Sequence, residues 1–379
     1  MAQINVQQSS QPPLKVSIVS IKIEKTAFSW ILLGIAAQPF LSSSVQAASF
    51  GFGETAVETI NYLAENLKGR SVGTQKEAET VDYLVQQLKG FGYKPTLQPF
   101  TYEWQGETLT SYNILAERTG TSGQQILLGA HYDNAPSSAT LDRTNLEGVN
   151  DNASGVGVLL ELAQRLEPET NNTIKFIFFG AEEIGLVGSS FYADSLSKQE
   201  IDDTLLMANL DSLIVGDKMY FNAGRGATEK PSWFKYRDLA LEIAAENGIA
   251  AESNPGFNAF YPKGTGCCSD LESFDFLMPV LAAEATNWDI GDQDGFTQTS
   301  DPRVPNGRTW HDPATDNRKF INTIFPGLIE ERTRNYTLIF DEFIDRVDAE
   351  SVPEPMSLLG FATLGVGGFL LKRRKETGS

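Results

Sequence analysis

Basic side chains and histidines are scarce in this chain of 379 residues. It has 30 lysines and arginines against 49 aspartates and glutamates, so the formal net charge is −19. Nucleic acids and anionic membrane surfaces need a basic face on their partner, and the composition argues against both. The negative charge is compatible with a cationic substrate, although acidic solubility is the simpler explanation. Only two histidines and two cysteines are present, and the chain has no internal repeat.

The N-terminal segment, 1–47, has the pattern of an export signal. Three lysines precede a short apolar run, 27–37. Val45 and Ala47 then place small residues at the two positions that a signal peptidase reads. A buried N-terminal helix is the alternative interpretation. We predict that 1–47 is a signal peptide, cleaved after Ala47, and that the protein is exported to the periplasm, the cell surface or the medium.

The C-terminal segment, 352–379, holds a second apolar run of about 16 residues, which is slightly short for a full membrane span. A Val-Pro-Glu-Pro sequence at 352–355 precedes the run, and four basic residues at 372–375 follow it. This order resembles the PEP-CTERM sorting tails that exosortases process in bacteria. The resemblance implies an exosortase-type processing enzyme as a partner and membrane contact only through this segment. A simple membrane anchor is the alternative.

The intervening residues, 48–351, alternate between strand-like and helix-like segments. Hydrophobic residues make up 41% of the chain, which allows a sizeable core. The alternation predicts one catalytic domain with a three-layer α/β/α sandwich and a mixed, largely parallel central sheet. Thr74, with Glu77 three residues later, is a reasonable N-cap. Predicted helices span 53–69, 74–90, 153–166, 187–198, 232–247 and 320–347, and predicted strands span 95–110, 112–117, 125–130, 173–179, 205–210 and 279–283.

Polar residues with metal-binding or acid–base chemistry follow three of the predicted strands. In an open α/β sheet, ligands bind beyond the carboxyl ends of the strands, so these side chains should lie together. Asp151 opens a predicted helix, and His311 lies in a loop after Trp310. The residues at the strand ends are His131, Asp133, Glu182, Glu183 and Asp211.

Two imidazoles and three carboxylates suit a pair of zinc ions, since zinc takes nitrogen and oxygen ligands. A bridging carboxylate can hold two such ions roughly 3.5–4 Å apart. In the pair Glu182-Glu183, one carboxylate could then bind metal while the other acts as a general base. Singly, each residue has a simpler explanation: a hydrogen-bonded histidine, a helix cap at Asp151 or a solvated pair of glutamates. Taken together, they favour a metal site.

Several short motifs carry a resemblance over most of 55–345. The main ones are His131-Tyr132-Asp133, 148–155, 180–185 and Asn209-Leu210-Asp211. In combination they resemble the di-zinc aminopeptidases that include the bacterial leucyl aminopeptidases. Further segments at 213–218, 261–268 and 284–288 are similar to the alkaline phosphatase isozyme conversion subgroup of that family.

The resemblance implies a ligand set of five residues for two zinc ions per chain. His131 and Asp211 are expected to bind one zinc. Glu183 and His311 are expected to bind the other, and Asp151 is expected to bridge both. The implied substrates are the N-termini of peptides or proteins.

The remaining implied roles belong to two carboxylates beside the ligands. Glu182 is expected to take a proton from the attacking water and pass it to the leaving amine. Asp133 is expected to orient His131, as carboxylates commonly do for ligating imidazoles. The subgroup also suggests removal of N-terminal arginine, which needs an acidic pocket. Four residues could supply that pocket: Asp270, Glu272, Asp289 and Asp292.

The sequence departs from the family pattern in two places. The usual His-Thr-x-x-Asp around the last ligand is one residue longer here, at 311–316, which leaves the partner of His311 open. Leu271 replaces a histidine that many relatives carry. Cys267 and Cys268 are adjacent, and two free thiols or a strained disulfide remain equal alternatives.

Two other functions fit the same segments. A glutaminyl cyclase-like transferase would use a related scaffold with one zinc ion. A non-catalytic binding module would keep the fold but usually loses ligands, whereas the five ligands and the base are present here. Metal stoichiometry and the activity of a Glu182→Gln variant distinguish these alternatives.

Overall fold

A computed structural model describes residues 51–350, so the predicted signal peptide and sorting segment lie outside the described residues. Between 51 and 350, no helix combines the length and the apolar character that crossing a membrane requires. The helices are α1 (Glu54–Asn66), α2 (Gln75–Gly90), α3 (Ser154–Arg165), α4 (Val187–Ser195), α5 (Lys198–Asp203), α6 (Lys235–Glu246), α7 (Arg318–Ile324) and α8 (Leu328–Glu350). The strands are β1 (Thr96–Trp104), β2 (Glu107–Arg118), β3 (Gln125–His131), β4 (Thr173–Phe179), β5 (Thr204–Leu210), β6 (Lys218–Ala223), β7 (Ala251–Glu252) and β8 (Val280–Thr286).

The strands form one mixed sheet in the order β1-β2-β4-β3-β5-β8-β6-β7. The four central strands, β4, β3, β5 and β8, are parallel to one another. Antiparallel pairings join β2 to β4 on one side and β6 to β8 on the other. The predicted α/β class with a mixed, largely parallel sheet is therefore confirmed, with helices on both faces.

The central strands are apolar because both of their faces are covered. In β3, Ile126 and Leu128 pack into the larger core, which also holds apolar residues of α1, α3 and α8, while Leu127 packs into the smaller core on the other face. The same alternation recurs in β4, where Phe178 faces the larger core and Phe179 the smaller. This double burial fixes the register of the strands and hence the positions of the residues that follow them.

The structure changes several predicted boundaries. The predicted strand 112–117 is part of β2, which pairs with β1 through a two-residue hairpin turn. Gln105 and Gly106 both have positive φ in that turn, as tight hairpins with a right-handed twist require. The helix predicted at 187–198 ends three residues earlier, as α4, and Ser197 caps the short helix α5, which was not predicted. The helix predicted at 320–347 is interrupted, at Pro326-Gly327, between α7 and α8.

The predicted N-cap of α2 is confirmed in part. The Thr74 hydroxyl accepts a hydrogen bond from the N–H of Glu77 at 3.1 Å. The Glu77 carboxylate accepts from the N–H of Gly73 rather than from that of Thr74, and its other oxygen accepts from the Ser111 hydroxyl. Glu77 is thus buried behind β2 instead of serving only as a helix cap.

Candidate metal centre

Three adjacent parallel strands bring most of the predicted site residues together. His131 is the last residue of β3, and Asp211 directly follows its neighbour β5. Glu182 and Glu183 lie in the loop after β4, on the other side of β3. Because the strands are parallel, all of these side chains emerge at one edge of the sheet.

Two groups of potential ligands share the carboxylate of Asp151, and a third group combines His131 with Glu182 and Glu183. In the first group, Nε2 of His131 lies 3.2 Å from Oδ1 of Asp151 and 3.5 Å from Oδ1 of Asp211. In the second, Nε2 of His311 lies 3.2 Å from Oδ2 of Asp151 and 2.6 Å from Oε2 of Glu183. Each group has the spacing of ligand atoms around one metal ion. Asp151 presents one oxygen to each group.

Asp151 is held by contacts from distant parts of the chain. It lies in an irregular turn, Val149–Ala153, that precedes α3. The buried carboxylate of Asp316 accepts hydrogen bonds from the N–H groups of Asn150, at 2.7 Å, and Asp151, at 3.1 Å. The one-residue extension at 311–316 thus ends on a carboxylate that supports Asp151 rather than the imidazole of His311.

Asp133 lies beside His131 but makes its hydrogen bonds elsewhere. Its Oδ1 is 3.6 Å from Nδ1 of His131, which is longer than a hydrogen bond. Its carboxylate accepts from the N–H groups of Glu182, at 3.1 Å, and Glu183, at 3.3 Å. Asp133 therefore fixes the loop that carries both glutamates as well as facing the imidazole.

His311 is presented by a loop instead of a strand. Its backbone has a φ of 61°, which is uncommon for a residue with a side chain. The Arg143 guanidinium donates a hydrogen bond to the His311 carbonyl at 2.6 Å, and the indole of Trp310 packs edge-on against the ring. The His311 side chain is 35% exposed, whereas that of His131 is 1% exposed. His311 therefore borders the cleft, and His131 lies at its base.

The clustered carboxylates give the site an excess of negative charge, which a bound cation would neutralise. Burial raises the pKa of Glu183 to about 7 and holds that of Glu182 well above its usual range. Burial opposes protonation of His311, but hydrogen bonds to Asp151 and Glu183 outweigh it and raise its pKa to about 11. Likewise, burial would raise the pKa of Asp151, but hydrogen bonds from both histidines bring it below its ordinary value. Without a metal ion, the glutamates and His311 therefore hold protons, which a bound metal ion would replace.

The donor atoms fit zinc. Buried Oε1 of Glu183 and Oδ1 of Asp211 have no hydrogen-bond partner within the described part of the chain. Such orphaned carboxylate oxygens are costly unless a proton or a metal ion satisfies them. Imidazole nitrogens together with carboxylate oxygens are the ligand types that zinc takes in enzymes.

A cleft of about 350 Å³ opens above this centre, within the usual range for small-ligand sites. Its wall includes Cys267 and Cys268, which are joined by a disulfide, the second of the two alternatives left open by the sequence. Besides the metal centre, Glu284 and Asp294 contribute carboxylates to the lining. Neither was among the residues singled out for an acidic pocket.

The four residues suggested for that pocket lie elsewhere. Glu272 accepts a hydrogen bond from the Cys268 N–H, and Asp289 pairs with Lys218 at 2.6 Å. Asp292 is exposed outside the cleft lining, and Asp270 is fully buried behind it. The available signal for Glu284 was its place as the one charged residue in the apolar stretch 280–286.

Fold and site together define an α/β metalloenzyme with a carboxylate-rich centre. The sequence pattern of Peptidase family M28 matches residues 113–335. The alkaline phosphatase isozyme conversion protein of Escherichia coli is 40% identical over 309 residues, covering 77% of this chain and 89% of that protein. This chain therefore belongs to Peptidase family M28; it is a metallo-aminopeptidase, and its cofactor is zinc.

Solved structures share the fold at low sequence identity. A zinc aminopeptidase from Bacillus subtilis superimposes with a TM-score of 0.61 at 16% identity, covering 80% of this chain and 97% of that one. Porphyromonas gingivalis glutaminyl cyclase superimposes with a TM-score of 0.58 at 20% identity, covering 79% of this chain and 100% of that one. The fold alone therefore does not separate a peptidase from a cyclase.

Proposed function

We propose that this chain is an exported di-zinc aminopeptidase that hydrolyses the first peptide bond of peptides or proteins. His131 and Asp211 would hold one zinc, Glu183 and His311 would hold the other, and Asp151 would offer one oxygen to each. The observation that carries this proposal is the pair of 3.2 Å distances from the two oxygens of Asp151 to two different histidines. A site for a single zinc ion would need only one of these two groups of ligands.

Glu182 is the general base of the proposed reaction. When bound, zinc supplies Lewis acidity, which polarises a carbonyl oxygen and lets a water attack it near neutral pH. Glu182 belongs to neither ligand group around Asp151, although it borders the same cleft. Burial favours its protonated form, so its carboxylate readily takes the proton of the attacking water and returns it to the leaving amine. Asp133 keeps the Glu182 backbone in place through the N–H hydrogen bond.

The Glu182→Gln variant is the primary test of the proposal. Activity on aminoacyl anilides is expected to fall roughly 10²- to 10⁴-fold because the amide cannot accept the proton. Two zinc ions per chain, measured by metal analysis, should remain. Glu58→Gln, on the exposed face of α1, is the matched control and should leave both quantities unchanged. Retained hydrolysis would remove Glu182 from the role of base, and lost zinc would make it a ligand instead.

A glutaminyl cyclase-like transferase is the second candidate, since the TM-score to such an enzyme, 0.58, is only slightly below the 0.61 to a zinc aminopeptidase. It predicts one zinc ion and cyclisation of peptides that begin with glutamine. Two zinc ions and release of a free first residue from such peptides would reject it.

Export of the protein is supported by sequence patterns outside the described residues. The proposed signal peptide, 1–47, directs export, and the proposed sorting segment, 352–379, is recognised by an exosortase-type enzyme at the membrane. Mass spectrometry of the mature protein should find Ala48 at the N-terminus. A cytoplasmic protein that still begins at Met1 would contradict this part of the proposal.

A further inference from the structure

Glu284 is a carboxylate held in place at the wall of the cleft. It lies in β8, between alanines that also line the cleft. Its Oε1 accepts hydrogen bonds from the Trp288 indole N–H, at 2.8 Å, and from the Asn222 side-chain amide, at 3.1 Å. Two uncharged donors hold this oxygen in place, while burial raises the pKa of Glu284 to about 7.

The second oxygen of Glu284 is free to meet a ligand. Oε2 takes part in none of the hydrogen bonds of the described residues, and it is not among their orphaned buried oxygens, unlike Oδ1 of Asp211. It therefore keeps contact with the space of the cleft. Within the described residues, no lysine or arginine contributes to the cleft lining. A partly buried carboxylate without a cationic neighbour is costly unless it binds a proton or a ligand supplies the positive charge, and a cationic ligand would take the place of the proton on Glu284.

Asp294 adds a second negative charge to the cleft. It lies on the loop that follows β8, where its carbonyl faces Cys267 and its carboxylate accepts a hydrogen bond from the Phe296 N–H. The four inner carboxylates (Asp151, Glu182, Glu183 and Asp211) carry as much negative charge as two zinc ions carry positive charge. Among the carboxylates that line the cleft, Glu284 and Asp294 are the two that belong neither to the proposed zinc ligands nor to the proposed base.

The rest of the wall suits the aliphatic part of a long cationic side chain. The Cys267–Cys268 disulfide and the ring of Phe296 line the same cleft, and both are apolar. Lysine and arginine commonly pack their methylene groups on such surfaces while the charged end reaches a carboxylate. The cleft thus offers an apolar wall with a carboxylate beside it.

From this arrangement we propose that Glu284 is the specificity-determining residue of a subsite that takes a cationic first side chain, arginine or lysine. Asp294 supports it by adding negative charge. The inference rests on the proposed aminopeptidase function and goes further by assigning the substrate class to one residue. It also replaces the four acidic residues that the sequence suggested for such a pocket.

The test compares kcat/KM for arginyl, lysyl and leucyl anilides in the wild type and in Glu284→Gln. Glutamine keeps an oxygen for Trp288 and Asn222 but removes the charge. The arginyl and lysyl values should fall about 10- to 100-fold, in line with losing a hydrogen bond to a charged group, while the leucyl value stays within about twofold. Asp292→Asn, an exposed carboxylate outside the cleft lining, is the control and should change no ratio.

Equilibrium binding gives a readout that does not depend on turnover. In a Glu182→Gln background, calorimetry should show that arginyl-alanine loses affinity on the added Glu284→Gln change, while leucyl-alanine does not. An equal loss for all three anilides, or an unchanged ratio, would overturn the assignment of Glu284. If Glu284→Gln does not fold, the wild type decides: a preference for leucyl over both cationic anilides rejects the subsite. Failure of the proposed function is distinct, because then no anilide is hydrolysed.

Discussion

The two halves of the metal centre are built in different ways. The half around His131 is formed by residues at the ends of β-strands. His131 ends one central strand and Asp211 follows the neighbouring strand, so strand register sets both positions. The half around His311 stands on a loop, with a left-handed backbone at the histidine itself. Burial follows the same division, since the first imidazole is closed off and the second borders the cleft.

The loop half depends on contacts between residues that are far apart in sequence. Arg143 reaches across 168 residues to the His311 carbonyl. Asp316 reaches across 165 residues to the N–H of Asp151. Regular structure places ligands through many shared backbone hydrogen bonds, whereas this half relies on a few side chains. Single substitutions away from the ligands should therefore affect the second zinc more than the first.

The largest effect is expected where the two halves meet. Asp151→Ala removes an oxygen from each group, so both zinc ions should bind more weakly. We expect activity to fall by about 10³-fold, or roughly 4 kcal/mol of transition-state stabilisation. Metal analysis after dialysis should find fewer than two ions per chain. Loss of just one ion, with the other held as tightly as in the wild type, would show that Asp151 does not bridge.

The same contrast explains what the sequence could predict of the fold. Buried parallel strands such as 125–130 and 173–179 were found with the correct bounds to within a residue, because double burial imposes an apolar run. β6 and β7 were missed, since β7 has two residues and β6 has only six. The short helix α5 was missed because none of its residues is buried, so it carries no apolar pattern.

The site residues, like the strands, could be predicted where they lie at the ends of buried strands and not where they lie in loops. Residues at strand ends, such as His131 and Asp211, are readable because chain order places them at one edge of the sheet. Asp151 and His311 were assigned through family resemblance, because no local pattern shows that distant loops meet. Glu284 was overlooked as a cleft residue, since one charged position in an apolar strand does not reveal which way it faces. Side-chain direction at such a position depends on register, which only the assembled sheet defines.

An intermediate effect is expected from the residue that holds the loop half. Arg143→Ala removes the hydrogen bond to the His311 carbonyl without touching a ligand. Partners behind the ligands commonly contribute 10- to 100-fold in metal affinity, and we expect a loss of about this size for one zinc only. Competition with a chelator should resolve one weakened and one unchanged site. Arg303→Ala, an exposed arginine paired with Asp301, is the control. Equal weakening of both sites would contradict the inference that Arg143 supports only the half around His311.

The smallest effect concerns the support beneath the strand half. Glu77 is hydrogen-bonded to Ser111, whose hydroxyl lies 3.4 Å from that of Tyr132, next to His131. Burial raises the pKa of Glu77 from 4.5 to about 7, so the folded state binds its proton more tightly than the unfolded state. Its contribution to stability is complete below about pH 4.5 and is lost as the pH rises through about 7.

Between pH 5.5 and 7 the wild type should lose about 1.5 kcal/mol of unfolding free energy relative to Glu77→Gln, measured by urea denaturation. The exposed Glu79→Gln variant should track the wild type, and a difference between wild type and Glu77→Gln that stays constant with pH would mean that Glu77 ionises freely in the fold.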